Sequence, residues 1–218
     1  MILLINIHSH SPAQKGEWVI QNKYAGFDTI STQGNYSVGL HPWYINEATW
    51  EPAFLEIQQA ANTTAVKAVG ECGLDKICTT PFPLQETVFA AHIRLANAIG
   101  KPLIIHCVQA YEEVFALLVK QSVEVPVVFH GFNKKLPLAH RITKAGYYIS
   151  FGKALQQPRI QQIFAALPLQ QCLLETDDAA ITISEVYTWA ATAVNIEKDL
   201  FSLHIEQNAS ALFGNLTQ

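Results

Sequence analysis

The stretch "LQETVFAAHIRLANAIGKPLIIHC", residues 84–107, decides the fold. Leu84, Val88, Leu95 and Ile99 recur on one stripe at helical spacing, so residues 84–99 read as a helix with a single apolar face. Gly100 suits the end of that helix. Pro102 then opens a short β-branched run, residues 102–106, which reads as a buried parallel strand ending in His106.

The same alternation extends to both sides. Short apolar runs at residues 2–7, 36–40, 65–70, 126–130, 147–151 and 171–176 read as further strands. Helical spacing marks residues 51–62, 110–121, 136–145, 157–166 and 184–193, with a closing helical pair expected over 197–213. Strands alternating with helices mean βαβ units and a parallel sheet. Seven strands are explicit, and an eighth is expected within residues 18–21 or 27–31. The expected class is therefore α/β, a small TIM-like (β/α)8 barrel. Residues 11–35 are too short for two full βα units, so at least one helix there is cut down or absent. No internal repeat, low-complexity segment or linker interrupts the chain, and residues 1–218 are expected to form one domain.

Composition narrows the function. Half of the 218 residues are hydrophobic and 15% are charged, as expected of a compact globule. A formal charge of −4 argues against a broad basic surface that clamps duplex nucleic acid. It leaves room for a site that handles one phosphate at a time through a bound metal. The four cysteines are scattered, there is no signal-peptide shape, and no run of about 18 apolar residues occurs. A cytoplasmic protein with free thiols is expected, with no membrane association and no obligate protein partner.

Chemistry-bearing residues gather where strands end. The first strand runs into His8 and His10, the next explicit one into Gly39-Leu40-His41-Pro42-Trp43, and another into Gly70-Glu71-Cys72-Gly73-Leu74-Asp75. "LIIHC" ends in His106, "VVFHGF" holds His130, and "CLLETDD" ends in Glu175 and Asp177. In a barrel these ends share one face, where active sites of the fold are built. A lone histidine at a strand end is more often a satisfied core or rim residue than a ligand. Four histidines with two or three acids at the same end of five strands are a different matter. Imidazole with carboxylate is the ligand chemistry of Zn²⁺, Mn²⁺ or Fe²⁺, and more carboxylate favours Mg²⁺.

In that order, HxH, GExGLD, "IHC", "HGF" and "ETD" resemble the TatD-like metal-dependent hydrolases of the amidohydrolase superfamily. Gln85 and Phe89 also fit the family's pattern, and the likeness runs from His8 to about Gly214. The resemblance implies a TIM-like barrel that hydrolyses phosphodiester bonds in DNA, with one or two divalent ions (Mg, Mn or Zn). It implies His8, His10, Glu71 and Asp177 around one ion, and Glu71, His106 and His130 around a second. Asp177 is the implied proton-transfer group, and Glu71 and Asp177 are the catalytic carboxylates. Cys72 and Cys107, out of phase with Glu71 and His106, are packing residues.

The chain departs from the family at three places. Asn6 stands where DxHxH begins, an amide able to orient a histidine without carboxylate charge. Val108 stands where many members carry Arg, and Asp178-Ala179-Ala180 replaces a small residue followed by Pro. Lining the substrate, His41, Trp43 and Lys134 are the candidates, with Trp43 and Tyr44 able to stack on a base. Asp75 is expected to fix the loop after Glu71, and His92, His140 and His204 to be structural. The resulting expectation is a deoxyribonuclease acting on single-stranded or frayed DNA ends. The rivals are a metal-dependent amidohydrolase or esterase on a small molecule, and a non-catalytic relative.

Overall fold

The computed structural model describes residues 3–216. Eight strands follow one another in chain order in a single sheet: β1 (Leu4–Ser9), β2 (Glu17–Lys23), β3 (Asn35–Val38), β4 (Val66–Asp75), β5 (Leu103–Val108), β6 (Val127–Phe129), β7 (Tyr148–Phe151) and β8 (Cys172–Leu174). The helices are α1 (Trp50–Ala61), α2 (Phe82–Ile99), α3 (Tyr111–Lys120), α4 (Leu136–Lys144), α5 (Pro158–Ala165), α6 (Ile183–Val194) and α7 (Lys198–Phe213). Strand and helix alternate from β3 onward, as the TIM-like (β/α)8 class requires. Of the first expected strand, residue 2 lies outside the described residues.

The missing strand is β2. Trp18, Val19 and Ile20 are buried along it, and Ile5 pairs with Trp18 in parallel register. The alternative, residues 27–31, is instead a short 3₁₀ turn over Phe27–Thr29, entered through Gly26 at φ 65°. No helix lies between β1 and β2, and only that turn lies between β2 and β3, so the shortening falls where the residue count demands it. At the other end, the expected helical pair is one helix. Glu197 caps it by accepting from the amides of Asp199 and Leu200. Phe201, Ile205, Ala209 and Leu212 then form one buried stripe, with neither Gly nor Pro to break the run before Gly214.

The chain divides into two compact units, Met1–Gln21 with Val128–Gln218, and Asn22–Val127. In the first unit β7 pairs in parallel with β6 and β8. The chain leaving β8 returns to β1 through a parallel bridge between Ser9 and Asp177. Behind it Tyr187 clasps the β1 backbone, accepting from the amide of Ile5 at 2.9 Å and donating to its carbonyl at 3.3 Å. Phe151, Phe164, Phe201 and Tyr187 continue as a chain of edge-on rings.

In the second unit β3, β4 and β5 pair in parallel, with α2 against β4. His92 of α2 is fully buried there. Its Nδ1 donates to the Val88 carbonyl at 2.8 Å and its Nε2 accepts from the Leu40 amide at 3.0 Å. That is the neutral tautomer, and burial pushes its pKa down to about 4. A folded-state value below the unfolded one means stability held above about pH 6.5 and lost as pH falls through the interval to about 4. We expect denaturant unfolding to show His92 costing about 2 kcal/mol of stability between about pH 7.5 and about pH 5. The variant His92→Gln should be less stable at neutral pH but shallower across that range.

Candidate metal centre

In the first unit the site begins with register. Beyond the end of β8 the amide of Asp177 donates to the His8 carbonyl at 3.0 Å, and the amide of His10 donates to the Asp177 carbonyl at 3.2 Å. Asp177 takes a left-handed backbone conformation, φ 54°, that carries its carboxylate back over the strand end. Both imidazole Nε2 atoms, of His8 and His10, then lie 3.4 Å from Asp177 Oδ1. Burial works against the charged form of Asp177. Hydrogen bonds from His10 and His8, with the charges of His130 and His8, outweigh it and hold the carboxyl far below the usual range.

Around this cluster the supports are specific. Asn6 and Thr176 are joined twice, by Asn6 Nδ2 donating to Thr176 Oγ1 at 2.9 Å and the Thr176 amide donating to Asn6 Oδ1 at 3.1 Å. Asn6 thereby ties the first strand to the last. The turn after Asp177 is compact, with the amide of Ala179 donating to the Thr176 carbonyl at 3.1 Å. His130 sets its ring against that of His8 with centroids 4.5 Å apart and planes tilted by 51°, and its Nδ1 lies 3.5 Å from Glu175 Oε1. That oxygen also accepts from the Gly131 amide at 2.7 Å. Lys134 follows in a segment whose carbonyls, of Asn133 and Lys134, both accept from Arg159.

The second unit builds its own cluster on β4 and β5. Glu71 Oε1 lies 2.9 Å from His106 Nδ1 and 3.3 Å from His41 Nε2. The other nitrogen of His106, Nε2, faces Asp75 Oδ2 at 3.2 Å. Asp75 is itself fixed by Trp43 Nε1 donating at 2.7 Å and the Ile77 amide donating at 2.8 Å. Burial opposes its charge, yet these donors and His106 together keep its carboxyl below the ordinary range. His41 Nδ1 accepts from the Trp43 amide at 3.2 Å, so the proton of the neutral ring sits on Nε2 and points at Glu71. Asn22 of β2 completes the surround of Glu71, accepting from its amide at 2.9 Å.

Glycine spacing in GExG has a direct cause. A Cβ on Gly73 would stand 2.0 Å from the carbonyl oxygen of His106, and its φ of +147° suits no other residue. Gln85 locks the far end of the motif, accepting from the Asp75 amide at 2.8 Å and donating to the Asp75 carbonyl at 3.0 Å. Cys72 and Cys107 are buried in the core, as their phase on the strands predicts.

Among the described residues each unit brings a group of ligand atoms together by itself, His8, His10 and Asp177 in the first, and His41, Glu71 and His106 in the second. Within each, the atoms lie within 4.8 Å of one another. Imidazole with carboxylate at this spacing fits a divalent cation. His41 is the exception among the six, because its Nδ1 is taken and its Nε2 proton is directed at Glu71. It serves as a positioning donor. Asp75 and Glu175 act behind the histidines, each placing a carboxylate at one ring nitrogen and leaving the other to face the site. Their roles and that of Asn22 were not read from the sequence. Asp75 shares a strand face with Glu71 four residues earlier, and that parity was the available signal.

These features are those of a family. The chain matches the model of the TatD related DNases over residues 25–214 and belongs to that family. An "uncharacterized metal-dependent hydrolase YjjV" of Escherichia coli K12 is 31% identical over 147 residues, 65% of this chain and 56% of the relative. The "3'-5' ssDNA/RNA exonuclease TatD" of Yersinia pseudotuberculosis is 30% identical over 186 residues, 80% of this chain and 68% of the relative. The matched region spans only 56% and 58% of the first two curated relatives' lengths. The crystal structure of YjjV superposes with a TM-score of 0.83 at 22% identity, covering 97% of this chain and 98% of that one. That likeness shows the shared fold, the TIM-like barrel expected from the strand count.

Two outcomes test the arrangement. Gly73→Ala should cost about 3 kcal/mol in urea unfolding, since a Cβ drives β4 off β5. Asp75→Asn should leave the circular dichroism spectrum intact. It should weaken divalent-metal affinity about 10–100-fold in a chelator-competition titration, through the lost carboxylate behind His106.

Proposed function

We propose that the chain is a metal-dependent phosphodiesterase that shortens single-stranded or frayed DNA ends. The observation that carries the reading is the pair of imidazole–carboxylate clusters at strand ends in a chain of the TatD related DNase family. The Yersinia relative, named a 3'-5' ssDNA/RNA exonuclease, supports the same substrate class. His8, His10 and Asp177 are the residues proposed to hold one divalent ion, and Glu71 with His106 a second. Mg²⁺, Mn²⁺ and Zn²⁺ all suit these donors.

A divalent cation supplies Lewis acidity, making water nucleophilic near neutral pH and neutralising charge on the phosphoryl oxygens. The chain's own residues do the rest. Asp177 takes the proton of the attacking water as the new P–O bond forms and the ester P–O bond breaks, the departing ester oxygen taking a proton from solvent to leave as a hydroxyl. Its low pKa reflects N–H donation from His10 and His8, with the charges of His130 and His8, which together outweigh burial. Glu71 holds His41 and His106 on one oxygen, fixing which nitrogen of each ring faces it. The net charge of −4 suits trimming of ends over clamping of a long duplex.

Elemental analysis of the purified protein, beside cleavage of a 5′-labelled single-stranded oligonucleotide with Mg²⁺, Mn²⁺ or EDTA, tests the reading. Cleavage should require metal and vanish in EDTA. His106→Ala and Asp177→Ala should each lower kcat/KM by about a hundredfold or more. Hydrolysis of small esters or amides with none of the oligonucleotide would move the assignment to the wider amidohydrolase chemistry. The absence of both bound metal and any hydrolysis would overturn it.

A further inference from the structure

Three aromatic rings of the second unit are left in the open. Tyr24, Trp43 and Tyr44 expose 46%, 58% and 52% of their surfaces. They are not loose. Tyr24 and Tyr44 stack with centroids 4.8 Å apart and planes at 27°. Trp43 is pinned by its indole N–H on Asp75, 2.7 Å away. His41, whose Nε2 meets Glu71, touches both neighbours, with its ring 5.0 Å from that of Trp43 and 5.7 Å from that of Tyr44. Trp43 also forms one wall of an open groove of about 300 Å³ with Ile77, Cys78 and Thr79.

Exposed aromatic surface of this size ordinarily finds a partner. The geometry points to a nucleobase platform: Tyr24, Tyr44 and Trp43 stack on unpaired bases of a strand whose phosphodiester lies at the His41–Glu71–His106 cluster. This rests on the phosphodiesterase reading and names how the substrate is chosen. Every unpaired base offers a π-face, so stacking is tolerant of sequence but closed to a base held inside a duplex. Rings already fixed by stacking and by the Asp75 hydrogen bond lose little freedom on binding. Charge agrees with a nucleic-acid occupant. Lys23, next to Tyr24, rests against neutral groups, with Nζ 3.3 Å from Thr29 Oγ1 and 5.9 Å over the Tyr36 ring. It forms no ion pair among the described residues, so its charge is open to a backbone phosphate.

The test compares a labelled oligothymidylate with a strand of equal length carrying abasic tetrahydrofuran units. Binding is read by fluorescence anisotropy in EDTA, and cleavage separately with Mn²⁺. The native protein should bind the thymidylate strand about tenfold or more tightly than the abasic one. Tyr24→Ala/Tyr44→Ala should bring the two affinities close to parity. Tyr24→Phe/Tyr44→Phe, which keeps the rings, should restore the preference and so exclude a folding defect. Equal affinity of the native protein for both strands overturns the platform, as does a preference untouched in the alanine variant. Base-dependent binding without cleavage would sink the hydrolase reading and leave the platform standing. Cleavage without base preference would do the reverse.

Discussion

The candidate site in the first unit depends on the return of the last strand to the first. His8 and His10 have no value as a pair of donors until an acid 170 or so positions away is brought over them, and backbone register does this. The clasp is the two-way bond between Asn6 and Thr176, residues 170 positions apart. An amide is the side chain that can donate and accept at once in this place. A carboxylate at position 6 would keep the acceptor for the Thr176 amide and forfeit the donor to Thr176 Oγ1. What looked in the sequence like a weakened second carboxylate is a different solution to holding two strands in step. A slip of one residue would turn His8 into the hydrophobic layer and Ile7 into the site.

The second unit solves its placement problem by close approach instead. Gly73 lets β4 and β5 lie so near that Glu71 and His106 meet on Oε1 and Nδ1 at 2.9 Å. Gln85, reaching from α2, then fastens the backbone at Asp75 through both ends of its amide. Buried polar groups of this density are costly unless each finds a partner. Here the partners are also what aim the rings.

Much of this was legible because strands that end in histidine or acid announce both the element and its business end. The apolar runs before His106, His130 and Glu175 gave the strands, and chain order gave the parallel sheet. The β2 strand was obscured because three buried apolar residues, Trp18 to Ile20, make too short a run to separate from the 27–31 alternative. Asn22, on that hidden strand, was lost with it. The two-helix reading of residues 197–213 overlooked that Phe201, Ile205, Ala209 and Leu212 stand at one unbroken helical spacing. Asp75 was expected to fix the loop after Glu71, and it does so by accepting from the Ile77 amide. Its second partner, His106, lies a strand away, and only the strand face shared with Glu71 hinted at it.

Trp43 shows how one residue can govern two rings without touching chemistry itself. Its backbone N–H occupies His41 Nδ1 and so fixes the proton on Nε2, toward Glu71. Its indole N–H holds Asp75, and Asp75 in turn holds His106 Nε2, leaving Nδ1 toward the same Glu71 oxygen. Both histidines are thereby committed to face Glu71 with a defined nitrogen. The indole is also more than half exposed. Whatever settles on that ring settles on a residue already joined by hydrogen bonds to both histidines' environment. The exposed ring and the hold on Asp75 thus belong to one side chain, while the hold on His41 belongs to its backbone and would outlast a substitution of the indole.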